Sequence, residues 1–469
     1  MQEFDLAIIG AGPAGMAAAH EAAGLGLRVV LLDEQPRPGG QIHRDVDRVA
    51  GARADRLGLD YRHGLRLTAA LRQADIHHLA GAVVWAIEDG FCLSYTRNGQ
   101  AGQVTAARVV LATGALERPM PLPGWTLPGV MMAGAGQILL KQSGVAARRA
   151  VLVGAGPLLY LVAAQMVRAG TPPLALVETP TGADRWRALR HLAGALRGWR
   201  DLVKGAAMLA VIARARVPRF PAATDIVIEG KTGPDALRFT SRGRAQRIPC
   251  DIVFLHHGVV PDTQAARSLG VRHLWHPQQA CFVPQLDDWG GTDVPGVYIA
   301  GDGGGIGGAG AAEIAGRLAA LRLAEDAGRI TQAQRDHRAK PLRAALSRAL
   351  ALRPFLDAAF PPYAAALAPA DDTVVCRCEE VTAGTIRDHA RLGCLGPNQA
   401  KAYGRAGMGP CQGRYCGLTV TAILAKANGR SFDDTGYFRI RPPLKPVTLG
   451  ALAAMEHTEP GTPDQETKT

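Results

Sequence analysis

The sequence predicts an α/β protein with two similar parallel-sheet domains and a small helical domain toward its C-terminal side. A Gly-x-Gly-x-x-Gly turn at Gly10–Gly15 lies between an apolar strand and an Ala-rich helix, and a related turn begins at Gly154. Four of the eight cysteines form two closely spaced pairs, Cys376 with Cys378 and Cys411 with Cys416. Because such turns occur where a strand passes into a helix of a βαβ unit, we expect two Rossmann-like dinucleotide-binding domains followed by a cysteine-rich unit.

Composition sets the broad class. The chain has 469 residues, a net charge of +12, 47% hydrophobic and 20% charged residues, which is typical of a globular protein of about three domains. No apolar run reaches the roughly 18 residues needed to span a bilayer. The N-terminus is acidic and lacks a secretory n-region. We therefore expect a cytoplasmic protein without a membrane span, and leave open a peripheral association with the inner membrane. No nucleic-acid motif accompanies the basic charge.

The first turn has the full context of a dinucleotide fingerprint. It follows the strand 5–9, precedes the helix 16–23, and is completed by the strand 28–32, which ends at two acids. The glycines permit the tight turn, the approach of a pyrophosphate and the packing of helix on strand, and an acid would hold the ribose hydroxyls. Asp33 fits that role best by count, with Glu34 beside it. The candidate binding residues are Gly10, Gly12, Ala14, Gly15, Asp33 and Glu34.

The rest of the chain favours FAD over NAD at this fingerprint. A buried strand ends at Thr113-Gly114, and a later strand ends at Gly301-Asp302 before a glycine-rich turn and a helix. A flavin dinucleotide is long enough to be held at both places. Asp302 is placed to accept hydrogen bonds from a ribityl chain.

The second fingerprint departs from the pattern at one position. It has Gly154 and Gly156, but Leu159 replaces the third glycine, and its second strand ends at Glu178. The leucine side chain should prevent the usual close contact of helix and strand, so the fold is expected to persist while nucleotide binding stays open. The alternatives are a working NAD(H) site, for which Glu178 would favour NAD over NADP, and a vestigial site or one occupied by an adenine nucleotide.

The four clustered cysteines have the spacing Cys-x-Cys…Cys-x4-Cys. They are Cys376, Cys378, Cys411 and Cys416. Four thiolates on short loops suit a [2Fe–2S] cluster, while structural zinc usually takes Cys-x2-4-Cys pairs. The tight first pair favours iron, with zinc and unligated thiols as alternatives. The isolated residues Cys92, Cys250, Cys281 and Cys394 are expected to be small buried apolar residues.

Two further patterns are less specific. The region 185–204 is rich in arginine, with leucines at helical spacing, namely Leu189, Leu192 and Leu196. A solvated face on a core-packed helix is the simpler interpretation, and docking to a membrane or partner is the other. His256-His257, at the end of a strand, is interpreted as structural, since a catalytic role needs a geometry that the sequence does not reveal.

These patterns suggest a division of the chain. We expect a discontinuous FAD-binding domain (1–120 and 245–330), a second Rossmann domain (121–244) and a connector of short helical pieces (331–370). A helical [2Fe–2S] domain (371–430) and an extended tail (431–469) would follow.

Residues 1–330 resemble the two-dinucleotide-domain flavoprotein fold of glutathione and thioredoxin reductases. The resemblance rests on the fingerprint and on Gly39-Gly40-Gln41, Ala112-Thr113-Gly114 and Ala300-Gly301-Asp302. It adds Gly40 and Gln41 to the candidate cofactor residues. Those reductases carry a redox cysteine pair beside the flavin. This chain has no such pair after Gln41 or after the second fingerprint, so disulfide reduction is not expected.

A narrower family covers nearly the whole chain. The motifs are 112–119, Pro123-Gly124-Trp125, 376–382 and 407–417. With them the chain resembles the α (A) subunits of heteromeric amino-acid and opine dehydrogenases, among them octopine and nopaline oxidases, hydroxyproline and proline dehydrogenases and hydrogen cyanide synthase. The cysteine unit is similar to bacterioferritin-associated ferredoxin, a small helical [2Fe–2S] domain.

The resemblance implies a division of labour between subunits. A β subunit resembling D-amino-acid oxidases, with its own FAD, would take hydride from a C–N bond. Electrons would pass, with FMN at the subunit interface, to this chain's cofactors and then to a quinone or another carrier; a small third subunit is a further expected partner. No residue of this chain stands out as a catalytic base. The alternatives are a self-sufficient NADH-dependent reductase, which Leu159 disfavours, and a structural scaffold, which the complete cysteine set disfavours.

Overall fold

Two parallel sheets organise the chain in the computed structural model, which describes residues 2–49 and 51–455. The first sheet has five parallel strands, in the spatial order Val297–Ile299, Val109–Leu111, Leu6–Ile9, Val29–Asp33 and Ile76–Ala80. Its central strands are buried on both faces, as expected for a parallel sheet covered by helices. The second sheet, also parallel, has the order Val130–Met132, Ile252–His257, Ala150–Ala155, Ala175–Glu178 and Arg219–Phe220. The predicted α/β class with two Rossmann-like units is confirmed.

Smaller sheets flank these two. One contains Gln2–Phe4, Gln100–Ala106, Cys92–Arg97 and Val83–Glu88. A three-stranded antiparallel sheet contains Thr224–Glu229, Ala236–Ser241 and Arg244–Pro249. The remaining strands form two-stranded ribbons: Ala115–Glu117 with Val259–Pro261, His273–His276 with Cys281–Pro284, and Val374–Cys376 with Val381–Thr382.

The helices cover the sheets and build the C-terminal units. Helix Pro13–Gly24 packs on Ala309–Asp326, and the contact is close because a Cβ on Gly316 would lie 2.1 Å from Ala14 O. The other helices before the connector are Gly51–Leu57, Leu59–Gln73, Ala133–Ser143, Pro157–Arg168, Gly182–Leu189, Leu192–Arg197, Trp199–Arg214 and Gln264–Ser268, with a 3-10 turn at Gly301–Gly304. Those from the connector onward are Gln332–Leu350, Arg353–Ala359, Ala364–Leu367, Ala383–Arg391, Pro397–Gly404, Gly417–Asn428, Phe432–Thr435 and Leu449–Ala453.

The connector differs from the expected series of short pieces. It begins with one 19-residue helix, Gln332–Leu350, which continues through Pro341. The helix starts at a reciprocal capping box between Thr331 and Gln334, and this cap stabilises its first turn. Only after Leu350 does the chain break into short helices, where Pro354, Pro361 and Pro362 lie.

The cysteine-bearing unit is a hairpin followed by three helices. Thr382 caps the first of these helices: its Oγ1 accepts the hydrogen bond of Thr385 N, and the helix ends at Arg391, before Gly393. The tail beyond it docks on the first domain, with Phe438, Ile440 and Leu444 buried. The part of the predicted tail at 456–469 lies outside the described residues. Within the described residues, no helix is long and apolar enough to cross a membrane.

Candidate functional site

The first glycine turn has the geometry of a phosphate-binding turn. Gly10 has φ +106°, and a Cβ there would lie 2.4 Å from Ala112 O. A Cβ on Gly15 would lie 1.8 Å from Gly10 O, so the third glycine allows the helix to start against the strand. The helix begins at Pro13, directly after Gly12. Its first N–H groups and its dipole therefore face the space in front of the turn.

Asp33, the predicted ribose ligand, holds the turn together. Its two oxygens accept hydrogen bonds from Ala11 N (2.5 Å) and Gln35 N (2.6 Å), and burial raises the pKa of the carboxyl. Glu34 is more exposed and pairs with Lys445 Nζ at 2.8 Å. The tail therefore reaches the edge of the nucleotide site through Lys445.

The Gly39-Gly40-Gln41 segment stacks on the fingerprint. Gly40 has φ +60°, and a Cβ on it would lie 2.9 Å from Gly12 Cα, which only glycine tolerates. Next to it, Gln41 O accepts a hydrogen bond from Lys141 Nζ at 3.0 Å. The segment thus forms a second wall of the site and links the two Rossmann units.

Two buried cations beside this wall escaped the sequence analysis. Lys141 is 2% exposed and Arg44 is 8% exposed, and neither contacts a carboxylate in the described part of the chain. Lys141 Nζ also donates to Gln137 Oε1 at 2.9 Å, and burial lowers the pKa of the lysine to about 7. Arg44 Nε has no hydrogen-bond partner among the described residues. Uncompensated buried cations are costly, so their position suits an anionic ligand. A lysine on an otherwise apolar helix turn was the only sequence signal.

The remaining predicted flavin residues meet at the same edge of the sheet. Thr113 Oγ1 donates to Asp262 O at 3.0 Å, and Asp262 N donates to Gly114 O at 3.0 Å. Asp302 Oδ1 accepts from Gly307 N and Gly308 N, both at 2.9 Å, which closes the turn before helix Ala309–Asp326. Asp302 Oδ2 accepts no hydrogen bond from the described residues, so it can face a ligand hydroxyl.

The second glycine turn keeps its tight conformation, although a leucine occupies the position of the third glycine behind it. A Cβ on Gly154 would lie 1.7 Å from His256 O, so the tight turn is retained. Leu159 is fully buried and belongs to the core between helix and sheet, with Leu152 and Leu176. The leucine is thus accommodated, and the persistence of the fold is confirmed.

Glu178 is engaged inside the protein. It is 1% exposed and accepts hydrogen bonds from Tyr160 Oη (2.5 Å) and from Arg219 Nη2 (2.6 Å) and Nε (3.1 Å). An acid that selects a ribose must offer an oxygen to the two hydroxyls. Glu178 is bonded to a cation, whereas Asp33 is bonded to backbone N–H groups, so Glu178 serves as the buried partner of Arg219.

The two histidines differ in role. His257 Nε2 lies 2.8 Å from Pro119 O and its Nδ1 accepts from Tyr363 N at 3.1 Å, and burial holds its pKa well below the usual range. These contacts suit the structural role that was predicted. His256 Nδ1 instead lies 2.6 Å from Glu117 Oε1, and its Nε2 lies 3.3 Å from where a Gly156 Cβ would be. His256 therefore packs directly against the second glycine turn.

The four predicted ligand cysteines come together as two pairs. The thiol of Cys376 interacts with that of Cys416, and the thiol of Cys378 with that of Cys411. The interaction with Cys416 lowers the pKa of Cys376 to about 6, and Gly407 N lies 3.5 Å from Cys376 Sγ. In the described part of the chain, no group of three or more His, Cys, Asp or Glu side chains could hold a metal ion as it stands. Because Cys416 also interacts with Cys378 and Cys411, all four thiols lie together, as a four-cysteine metal site requires.

The cysteine loops dock on both Rossmann units. Trp125 Nε1 donates to Val374 O at 2.7 Å, so the Pro-Gly-Trp motif holds the strand before Cys376. Gln264 Nε2 lies 3.4 Å from Gln412 O, beside a small cavity of about 20 Å³. The predicted flavin site and the predicted cysteine site therefore lie at the same interface, between the first Rossmann unit and the cysteine-bearing unit.

Fold and site together define a flavoprotein with two dinucleotide-binding units and an added cysteine-bearing module. The chain matches the family model "Pyridine nucleotide-disulphide oxidoreductase" over residues 4–334 and "Sarcosine oxidase A3 domain" over residues 371–456. It is 43% identical to the A-type subunit of an opine oxidase from Rhizobium meliloti, covering 97% of this chain and 88% of the relative. It is 31% identical to the HcnB subunit of hydrogen cyanide synthase from Pseudomonas protegens, covering 95% and 96%.

A solved structure shares the whole fold. L-proline dehydrogenase from P. horikoshii matches with a TM-score of 0.70 and 20% identity, covering 96% of this chain and 79% of that one. The chain belongs to the pyridine nucleotide-disulphide oxidoreductase family and, within it, to the α (A) subunits of heteromeric flavin-dependent dehydrogenases. The predicted family and its flavoprotein character are confirmed, and the first glycine turn fits FAD.

Proposed function

We propose that this chain is the electron-transfer subunit of a heteromeric dehydrogenase that oxidises the C–N bond of an opine or amino acid. Its relatives include opine oxidase subunits, and its fold is that of an L-proline dehydrogenase. In this proposal a D-amino-acid-oxidase-like β subunit with its own FAD binds the substrate, and an FMN lies at the subunit interface. A small third subunit and a quinone acceptor complete the expected partners.

The observation that carries the proposal is the shared interface of the flavin turn and the cysteine loop. When bound, FAD takes up electron pairs and a [2Fe–2S] cluster passes single electrons. Asp302 would orient the ribityl chain, and Lys141 and Arg44 would compensate the diphosphate charge. Cys376 and Cys416 would hold one iron, and Cys378 and Cys411 the other. Gly407 N would donate to the Cys376 sulfur, which raises the reduction potential.

The second Rossmann unit is proposed to have no hydride-transfer role. Glu178 is bonded to Arg219 and Tyr160, and Leu159 fills the space beneath the helix. A dinucleotide ribose would have to displace the cation of a buried carboxylate to be recognised there. An adenine nucleotide, held through the Gly154–Gly156 turn alone, stays a prediction for this unit.

An anaerobic absorption titration of the purified chain tests the proposal. We expect FAD and about two irons per chain, bands that dithionite bleaches and that NADH leaves unchanged. Cys378→Ser should remove the iron and keep the FAD, whereas the control Cys394→Ser, buried away from the set, should keep both. Rapid bleaching by NADH would establish the self-sufficient reductase instead. Zinc in place of iron would show that the four cysteines form a zinc site. A chain free of FAD would favour the structural scaffold.

The substrate is tested with the complete complex. Co-expression with an adjacent gene for a D-amino-acid-oxidase-like protein should give a complex in which an opine or amino acid bleaches the bands of this chain. A stable complex in which no such substrate reduces the cofactors would contradict the assignment to C–N oxidation.

A further inference from the structure

Three helices of the second Rossmann unit carry an outward-facing apolar stripe. Helices Gly182–Leu189, Leu192–Arg197 and Trp199–Arg214 are inserted between strands Ala175–Glu178 and Arg219–Phe220 of the second sheet. Their large apolar residues recur every three or four positions and are 42–76% exposed: Trp186, Leu189, Leu192, Leu196, Trp199 and Val203. The helices pack on the protein and their arginines are solvated, as the simpler interpretation predicts, but Leu189, Leu192 and Leu196 are exposed as well.

The large apolar residues face outward because other, mostly small, residues of these helices pack against the rest of the protein. Ala188, Ala195 and Ile212 are fully buried, and the helices rest on Arg353–Ala359 and Pro157–Arg168. The three helices are thus anchored without using Trp186 or the leucines. Large apolar side chains exposed this close together along a folded chain indicate a site of association.

The charges around the stripe are almost all positive. Segment 182–214 contains seven Arg or Lys residues, two Asp and no Glu. The two acids are engaged within the segment: Asp184 contacts Arg187, and Asp201 lies 3.2 Å from Lys204 Nζ. Four exposed arginines have no ion-pair partner among the described residues, namely Arg185, Arg190, Arg197 and Arg200.

We propose that this surface binds the chain peripherally to an anionic phospholipid membrane. Tryptophan and leucine side chains would enter the boundary between headgroups and acyl chains, and the flanking arginines would contact lipid phosphates. The segment carries seven basic residues, and its two acids are already paired within it, so its charge complements an anionic surface. Here unpaired arginines adjoin the apolar residues along the whole stripe, a composition typical of interfacial helices. The inference stands independently of the proposed function. If both hold, the chain lies beside a lipid-soluble acceptor.

Vesicle sedimentation with the full-length, cofactor-loaded protein tests this surface. We expect binding to vesicles of phosphatidylcholine with phosphatidylglycerol, weakened by high salt, and no binding to phosphatidylcholine alone. Trp186→Ser with Trp199→Ser should weaken binding by about tenfold or more, as should Arg190→Gln with Arg197→Gln. The matched control, Leu392→Ser with Tyr403→Ser, changes residues that are 66% and 62% exposed on the cysteine unit and should leave binding unchanged.

Direct insertion is measured by quenching of tryptophan fluorescence with brominated lipid. The extent of quenching should be smaller in the Trp186→Ser/Trp199→Ser variant. Unchanged flavin content and circular dichroism establish that each variant is folded. Equal binding of variant and parent to anionic vesicles would overturn the proposal. So would loss of self-association or of the partner subunit in the variant while vesicle binding persists, because the stripe would then be a protein interface.

Discussion

Arg414 Nε lies 3.7 Å from Oδ1 of Asp262, and this ion pair joins the cysteine unit to the flavin turn. Arg414 stands between Cys411 and Cys416, while the backbone of Asp262 is hydrogen-bonded to Gly114. Both side chains are largely buried, at 11% and 16% exposure, so solvent screens the pair weakly. Asp262 is therefore a polar link between the two predicted redox sites.

Asp262→Asn tests this link. Removing the carboxylate leaves Arg414 uncompensated next to Cys411 and Cys416, which favours the more negative, reduced cluster. We expect the cluster's reduction potential to rise by on the order of tens of millivolts, with FAD retained. A redox titration followed by electron paramagnetic resonance measures it. Asp251→Asn, at an exposed pair with Arg149, is the control and should not shift the potential.

Lys141→Met tests the buried cation beside Gln41. The change keeps the length of the side chain and removes the charge that we assign to the diphosphate. We expect FAD to bind about tenfold or more weakly, measured by flavin fluorescence on dilution. Lys340→Met, at an exposed position of the connector helix, should leave the affinity unchanged. Full FAD affinity in the Lys141 variant would mean that the lysine only joins the two Rossmann units.

Arg219→Met tests the cation paired with the buried Glu178. The substitution leaves a carboxylate that is 1% exposed without its cation, and we expect a loss of about 3 kcal/mol in the free energy of unfolding. Urea denaturation measures the loss. Arg238→Met, which removes one of two arginines paired with Glu229 at the surface, should cost much less. Equal costs would show that the Glu178 pair contributes nothing beyond a surface ion pair.

His43 predicts a loss of stability in acid. Burial lowers its pKa to about 4 in the folded chain, from 6.5. Between about pH 6.5 and 4, His43 is therefore protonated in the unfolded chain and neutral in the folded chain. The free energy of unfolding falls as the pH falls through that window. His43→Gln should remove about 2 kcal/mol of the difference in unfolding free energy between pH 7.5 and pH 5. The exposed His20→Gln should leave the pH dependence intact; the same slope in both variants would contradict the assignment.

The local patterns of the sequence determined the architecture and the sites within single segments. The turns at Gly10–Gly15 and Gly154–Gly156 and the strand ending at Asp302 were predictable, because each depends on neighbouring residues and on backbone angles that few residue types allow. The spacing of the four cysteines likewise placed their loops in one small unit.

Only the tertiary structure decided the partners of charged groups and the direction of apolar faces. Lys141 meets Gln41 across 100 positions, Arg414 meets Asp262 in another domain, and Glu178 is taken by Arg219. Helical spacing placed Leu189, Leu192 and Leu196 on a common side, but it did not determine whether that side faces solvent. Periodicity encodes the formation of a helix, whereas burial and ion pairing depend on which distant segments pack against it.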